Sequence, residues 1–348
     1  MMRDAAMKAG VYGVSLIAGI GLLAGCSEPS LTDLSQNATA PRQLHDRPLS
    51  ALSESLAKRL YVDPTQQSAR WAKRHPSDER AKIIEEAIAS KPSARWFGDW
   101  NKDITAETRS YVEAAADANS LPVLVAYNIY GRDCGSHSAG GAKSPDDYRT
   151  WITSFAKGIG SNPAVVILEP DTLAQLDCIP DEAGKQTRLD LIKYGVEQLA
   201  EHAPLTLTYI DGGNANWIPP ATMADRLAAA GVDKARGFSV NVSNFYSTAE
   251  SDRYAGAIRK ALKSKHGLTK SYVVDTSRNG NGSANGEWCN PAGRKLGTPP
   301  RLVGLGEPKE FELWIKAPGE SDGACGTAPT TTAGEFAPDL AVSLIQGR

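Results

Sequence analysis

The sequence is short of several things that would identify it quickly. It has little charge of one sign: across 348 residues the net charge is −2. Nothing in that balance suggests a nucleic acid or an anionic membrane surface as partner. Its apolar N-terminal stretch, Val11 to Leu23, is shorter than the ~20 residues a spanning helix needs. Cysteines number only 5, and none form a Cys-x-x-Cys pair, which argues against a zinc ribbon or finger. There is no His-Glu-x-x-His, and no strand-to-helix nucleophile elbow of the Gly-x-Ser-x-Gly kind is expected. Gly280-Asn281-Gly282 lacks the Lys-Ser/Thr that would make it a phosphate loop. No internal repeat and no second domain are visible. At 41% hydrophobic, the chain can still bury one large core.

The N-terminus reads as a targeting segment. Arg3 and Lys8 precede the apolar stretch, which ends Leu23-Ala24-Gly25-Cys26 and resembles a bacterial lipobox. Residues 1–25 are therefore expected to be a signal peptide, Cys26 a lipidated residue, and 26–55 a polar tether. Residues 56–348 form the folded domain. This makes the protein exported, either a cell-envelope lipoprotein or secreted, touching membrane only through its N-terminal lipid. Exported chains keep disulfides. Cys134, Cys178, Cys289 and Cys325 allow three pairings, of which the chain-order one would tie polar loops together.

The remainder is organised around Ala164-Val165-Val166-Ile167-Leu168-Glu169-Pro170-Asp171. Five apolar residues, three of them β-branched, read as a strand buried on both faces. Pro170 should end it, leaving two carboxylates at its C-terminal end. The plainer alternative is an Asp that caps the following helix. Around this run, strands near 123–127, 205–210, 238–242, 272–275 and 312–315 alternate with helices near 105–119, 144–159, 185–201, 221–230 and 251–264. Strand–helix alternation at this spacing implies parallel strands with right-handed crossovers. About seven such units suggest a single-domain α/β fold, a distorted seven-stranded parallel barrel of TIM-like type. An open doubly wound sheet is the alternative.

Asp133, Asp171, Asp211, Asp275 and Asp322 each fall at or just after a strand run. In a parallel barrel those ends share one face. Clustered, partly buried acids raise one another's pKa, which lets a carboxylic acid hold a proton near neutrality. Acids, tryptophans in polar glycine-rich surroundings (Trp96, Trp217, Trp288) and no phosphate loop together suit glycoside hydrolysis.

Several segments carry a family resemblance. They are Tyr127-Asn128-Ile129-Tyr130-Gly131-Arg132-Asp133-Cys134, Leu168-Glu169-Pro170-Asp171, Asp275-Thr276-Ser277-Arg278-Asn279-Gly280, Glu287-Trp288-Cys289 and Trp314-Ile315-Lys316-Ala317-Pro318-Gly319-Glu320-Ser321-Asp322-Gly323. In order, over roughly residues 58 to 347, they resemble glycoside hydrolase family 6, which contains endoglucanases and cellobiohydrolases. The resemblance implies the distorted seven-stranded barrel and inverting hydrolysis of β-1,4-glucan without a metal or cofactor. It also implies the roles. Asp171 is the general acid, Asp133 keeps that donor protonated and helps order water, and Asp322 is the general base. Asp211 is a further cleft aspartate and Tyr127 lies under the distorted sugar. Lys316 and Glu320 are polar sugar contacts, while Trp96, Trp217 and Trp288 are stacking platforms; Asn214 and Asn244 are further candidate substrate contacts. The disulfides follow chain order, and a monomer is expected.

One departure stands after Asp211. The family commonly carries a histidine where Gly212-Gly213-Asn214 places an asparagine. Exo-acting members of that family roof their sites with longer loops, so the resemblance, with the short loop from Gly293 to Gly306, implies an open, endo-acting cleft. Three other readings compete: an exo-acting cellobiohydrolase, a barrel that binds glycan without turnover, and a metal-dependent hydrolase.

Overall fold

The computed structural model describes residues 53–348. The expected signal peptide, Cys26 and nearly all of the expected tether lie outside the described residues. Eight strands form one curled sheet in the order β1-β2-β3-β4-β5-β6-β8-β7. They are β1 (Arg95–Phe97), β2 (Val123–Ala126), β3 (Ala164–Leu168), β4 (Thr206–Asp211), β5 (Gly237–Val240), β6 (Ser271–Asp275), β7 (Arg301–Leu302) and β8 (Lys309–Leu313). All neighbours pair parallel except β7, a two-residue strand antiparallel to β8. The expected seven parallel strands are therefore present, with β7 added. At the seam, the Ala94 N–H donates to Trp314 O at 2.9 Å, just outside β1 and β8.

Helices fill the crossovers. After α1 (Glu54–Ala57), α2 (Gln67–Arg74) and α3 (Glu79–Ile84) come α4 (Ile104–Asp117), α5 (Pro145–Ile159), α6 (Glu182–His202), α7 (Pro220–Ala229), α8 (Thr248–His266) and the terminal α9 (Pro338–Gln346). Local chemistry sets their ends. The Ser144 hydroxyl accepts the Asp147 N–H and Pro145 pre-sets φ to open α5. Ser247 and Glu250 form a capping box on α8, and Gly267 ends it at φ 72°.

The central strand shows why its sequence is unbroken. Val165 and Ile167 pack inside the sheet's curl with Val125, Leu207, Tyr209, Val273 and Phe311. Val166 and Leu168 face outward against Ile152 and Phe155 of α5 and Leu191 of α6. Successive strand residues point to opposite faces, so a strand with a core on each side must be apolar throughout. Trp151 and Phe155, four residues apart on α5, stack 5.5 Å apart on the outer core.

Candidate active site

Six of the carboxylates at the C-terminal ends of the strands divide into two sets by what their oxygens face. Glu169, Asp211 and Asp275 are turned under the floor. Glu169 accepts the Asn128 N–H at 3.0 Å and the Ile129 N–H at 2.9 Å, joining the ends of β2 and β3. Asp211 accepts the Asp171 and Gly213 N–H groups and the Ser239 hydroxyl, each at 3.0 Å, joining β3, β4 and β5. Asp275 accepts the amides of Ser243 (3.1 Å), Ser277 (2.9 Å) and Lys316 (2.9 Å), joining β5, β6 and β8. These acids hold the loops in place. Burial pushes Glu169 up to about 7 and Asp211 up to about 6, against the pull of their amide donors toward the charged form.

Asp211 therefore corrects its expectation as a cleft residue. It is 1% exposed and its oxygens are spent on the backbone and on Ser239. Asp275 belongs to the same group, so two of the five acids picked from strand ends do not reach the cleft.

Asp133, Asp171 and Asp322 face a cleft of ≈ 1140 Å³. Its volume exceeds the ~300–1,000 Å³ usual for a small-molecule pocket, leaving room for an extended ligand. Asp171 does not cap a helix. Among the described residues nothing donates to its carboxyl, while Glu169 (φ 50°) and Asp171 (φ 68°) flank Pro170 in left-handed backbone. That conformation is costly for side chains other than Asn and Asp, and it is held here by the Asp211 bond to the Asp171 N–H. Desolvation, then the charges of Asp211, Asp133 and Asp322, push the Asp171 carboxyl well above the usual range, with Lys316 opposing. Asp133, at φ 58°, accepts the Ser138 N–H at 2.7 Å and the Gln175 side-chain amide at 2.9 Å. Asp322 is nearly buried, pairs with Arg278 at 2.8 Å, accepts the Asn290 N–H at 3.1 Å and lies 3.8 Å from Lys316 Nζ.

The remaining expected residues, Tyr127, Trp96, Asn214, Trp217, Asn244, Trp288, Lys316 and Glu320, also line this cleft. Tyr127 carries the Arg132 guanidinium over its ring at 4.6 Å and meets Trp96 edge-on at 5.1 Å. Trp96 donates through Nε1 to Ile315 O at 2.8 Å across the seam. Trp217 and Trp288 are 39% and 45% exposed, a large apolar surface to leave in water without a partner. Glu320 accepts the Gln67 amide at 2.7 Å, and Lys316 Nζ donates to Ser321 O at 3.0 Å.

Sequence reasoning missed two cleft aromatics, Trp100 and Tyr246, and two helper residues. Trp100 is 50% exposed on the cleft wall, with the Arg132 guanidinium 5.3 Å from its ring. The signal was the second tryptophan of Trp96-Phe97-Gly98-Asp99-Trp100. Gln175 and Arg278 are recognisable only from their contacts with Asp133 and Asp322. The letters Gly-x-Ser-x-Gly do occur at Gly319–Gly323, contrary to expectation. Yet Ser321 is fully buried with its Oγ between the carbonyls of Gly323 (2.9 Å) and Thr331 (3.2 Å), so it is no nucleophile.

Disulfides join Cys134 to Cys178 and Cys289 to Cys325, the chain-order pairing. Each closes a loop of the size that chain-entropy reasoning values at about 4 kcal/mol. Among the described residues the one cluster dense enough for a metal is His137, Cys289 and Cys325, whose sulfurs are bonded to each other.

Three comparisons bear on this site. The profile of glycosyl hydrolases family 6 matches residues 55–348. The chain is 50% identical to Endoglucanase 1 of Streptomyces halstedii, over 83% of this chain and 88% of that protein. It is 43% identical to Endoglucanase A of Cellulomonas fimi, over 82% of this chain and 60% of that longer protein. Among solved structures, the endoglucanase Cel6 of Mycobacterium tuberculosis, in complex with methyl-cellobiosyl-4-deoxy-4-thio-β-D-cellobioside, superposes with a TM-score of 0.77. That structure is 39% identical and covers 85% of this chain and 99% of its own.

Proposed function

Because the chain belongs to glycosyl hydrolases family 6, we propose that its cleft cuts internal β-1,4 bonds of cellulose or a related glucan, with inversion. One observation carries the reading. Among the described residues nothing donates to the carboxyl of the cleft acid Asp171, which feels the charges of Asp211, Asp133 and Asp322. Such a group keeps its proton near neutrality and gives it to a leaving glycosidic oxygen.

The other roles follow from what each side chain touches. Asp133, fixed by Ser138 and Gln175, repels a negative charge on Asp171 and so keeps the donor loaded. Asp322, charge-paired with Arg278 and beside Lys316, is the general base that takes a proton from water on the opposite face of the sugar. Tyr127 supports the ring at the reacting position. Trp96, Trp100, Trp217 and Trp288 stack against apolar sugar faces, and Asn214, Asn244, Lys316 and Glu320 contact hydroxyls. Asp211 acts indirectly, by fixing the backbone of Asp171.

The same reading has the chain exported behind a signal in 1–25, anchored by lipid at Cys26 through the tether 26–55, and active as a monomer. Two disulfides support an oxidising compartment.

The deciding experiment incubates the enzyme with cellopentaose and follows product lengths and anomeric form by NMR. Mixed internal cleavage with α-anomers appearing first is expected. First-formed β-anomers would overturn inversion, and cellobiose released only from one end would overturn endo action.

A further inference from the structure

We propose that Gln175 is a positioning residue that aims Asp133 at Asp171 and so keeps the proton on Asp171. The inference deepens the reading of Asp171 as donor and rests on it.

Gln175 touches both acids at once. Its side-chain Nε2 donates to Asp133 Oδ1 at 2.9 Å. Its backbone N–H donates to the Asp171 carbonyl at 2.8 Å. It sits in the short 3₁₀ turn Ala174–Cys178, whose last residue is bonded to Cys134, the neighbour of Asp133. The disulfide thus fixes one loop against the other, and the amide selects the direction of the carboxylate within that frame. An ionised carboxylate can only accept, so the amide must present its NH₂ to Asp133.

The choice of a neutral donor is what makes the device work. Gln175 and the Ser138 N–H hold the Asp133 carboxylate through hydrogen bonds and bring no opposing charge of their own. That charge then acts on Asp171, which also faces Asp211, Asp322 and the opposing Lys316. Arg132, next in sequence to Asp133, is turned away, with its guanidinium committed to Asp99 and the Tyr127 carbonyl. A lysine at 175 would neutralise Asp133, and a glutamate would compete with it for a proton.

The test is the pH profile of kcat on cellopentaose for wild type, Gln175→Ala and the isosteric Gln175→Glu, with thermal unfolding recorded for each. In Gln175→Ala, kcat should fall roughly 10-fold, as for loss of one hydrogen bond to a charged group. Its alkaline limb should move to lower pH by at least half a unit while KM changes less than twofold. In Gln175→Glu the acidic limb should move up instead, as two carboxyls share a proton. If both limbs stay at their wild-type positions in Gln175→Glu, the inference fails, whether or not Gln175→Ala folds. Asp171→Asn, run alongside, separates the two readings. An inactive Asp171→Asn with unmoved Gln175 limbs overturns only the positioning role, whereas an active Asp171→Asn overturns the donor assignment itself.

Discussion

Replacing Asp171 by asparagine isolates proton donation more cleanly than any other change in the cleft. The backbone at 171 is left-handed, at φ 68°, where asparagine is among the few residues tolerated. The Asp171 N–H keeps its bond to Asp211, and the side chain forfeits no hydrogen bond because nothing donates to its carboxyl among the described residues. The fold should therefore be unchanged, whereas alanine would add strain of ~1 kcal/mol. What is lost is a carboxyl that burial, then its acidic neighbours, push well above the usual carboxylate range, so on the proposed reading the general-acid contribution disappears. That contribution is typically 10²–10⁴-fold, or about 3 to 5 kcal/mol of barrier. The assay pairs barley β-glucan, whose leaving group needs a proton, with 2,4-dinitrophenyl cellobioside, whose leaving group does not. Loss by orders of magnitude on the first and by less than about tenfold on the second is expected, with cellotetraose affinity unchanged by calorimetry. Equal losses on both substrates would refute the reasoning, since they would place Asp171 in something other than protonation of the leaving oxygen.

Two further outcomes follow from the site. Glu169 holds a folded-state value of about 7 against an ordinary 4.5. A raised acid contributes stability that is fully present below 4.5 and is lost as pH climbs to about 7, which costs at most about 3 kcal/mol. Glu169→Gln should flatten the decline in urea midpoint between pH 5 and 8; an undiminished decline would show that Glu169 does not cause it. Trp100→Ala should weaken cellohexaose, in KM, by roughly 3- to 10-fold while leaving an aryl cellobioside unaffected; unchanged KM on the long substrate would remove Trp100 from the binding surface.

The parts of this molecule that could be read from sequence are those where one residue type has one structural reason. The unbroken run Ala164–Leu168 gave β3 to the residue, because a core lies on each side of it. The helices expected near 144–159 and 221–230 likewise match α5 and α7 to within a residue at each end. β1 was invisible: it is three residues long, its polar Arg95 lies over the rings of Phe97 and Tyr111, and no period can show in so short a segment. α2 escaped because Gln66 gives it no side-chain cap. The acids were legible by position and illegible by direction. Sequence places Asp211 and Asp171 alike at strand ends, but only coordinates show one oxygen pair turned to amides and the other to the cleft. The left-handed turn at Glu169-Pro170-Asp171 is the hidden variable, since it decides which way each carboxylate points.

The seam between β1 and β8 closes on residues far apart in the chain. The Trp96 indole is fixed by Ile315 O, a contact spanning 219 residues, and Ala94 meets Trp314 beside it. Contacts so distant in the chain carry the largest loop-closure cost and form late. An emerging chain can pair β2 with β3 and bring Asp133 and Asp171 together long before residue 315 has been made. At that stage it has the acids but neither the anchored indole nor Asp322 with its arginine. Residues 315–322 thus supply both the anchor of one cleft indole and the acid of the Asp322–Arg278 pair.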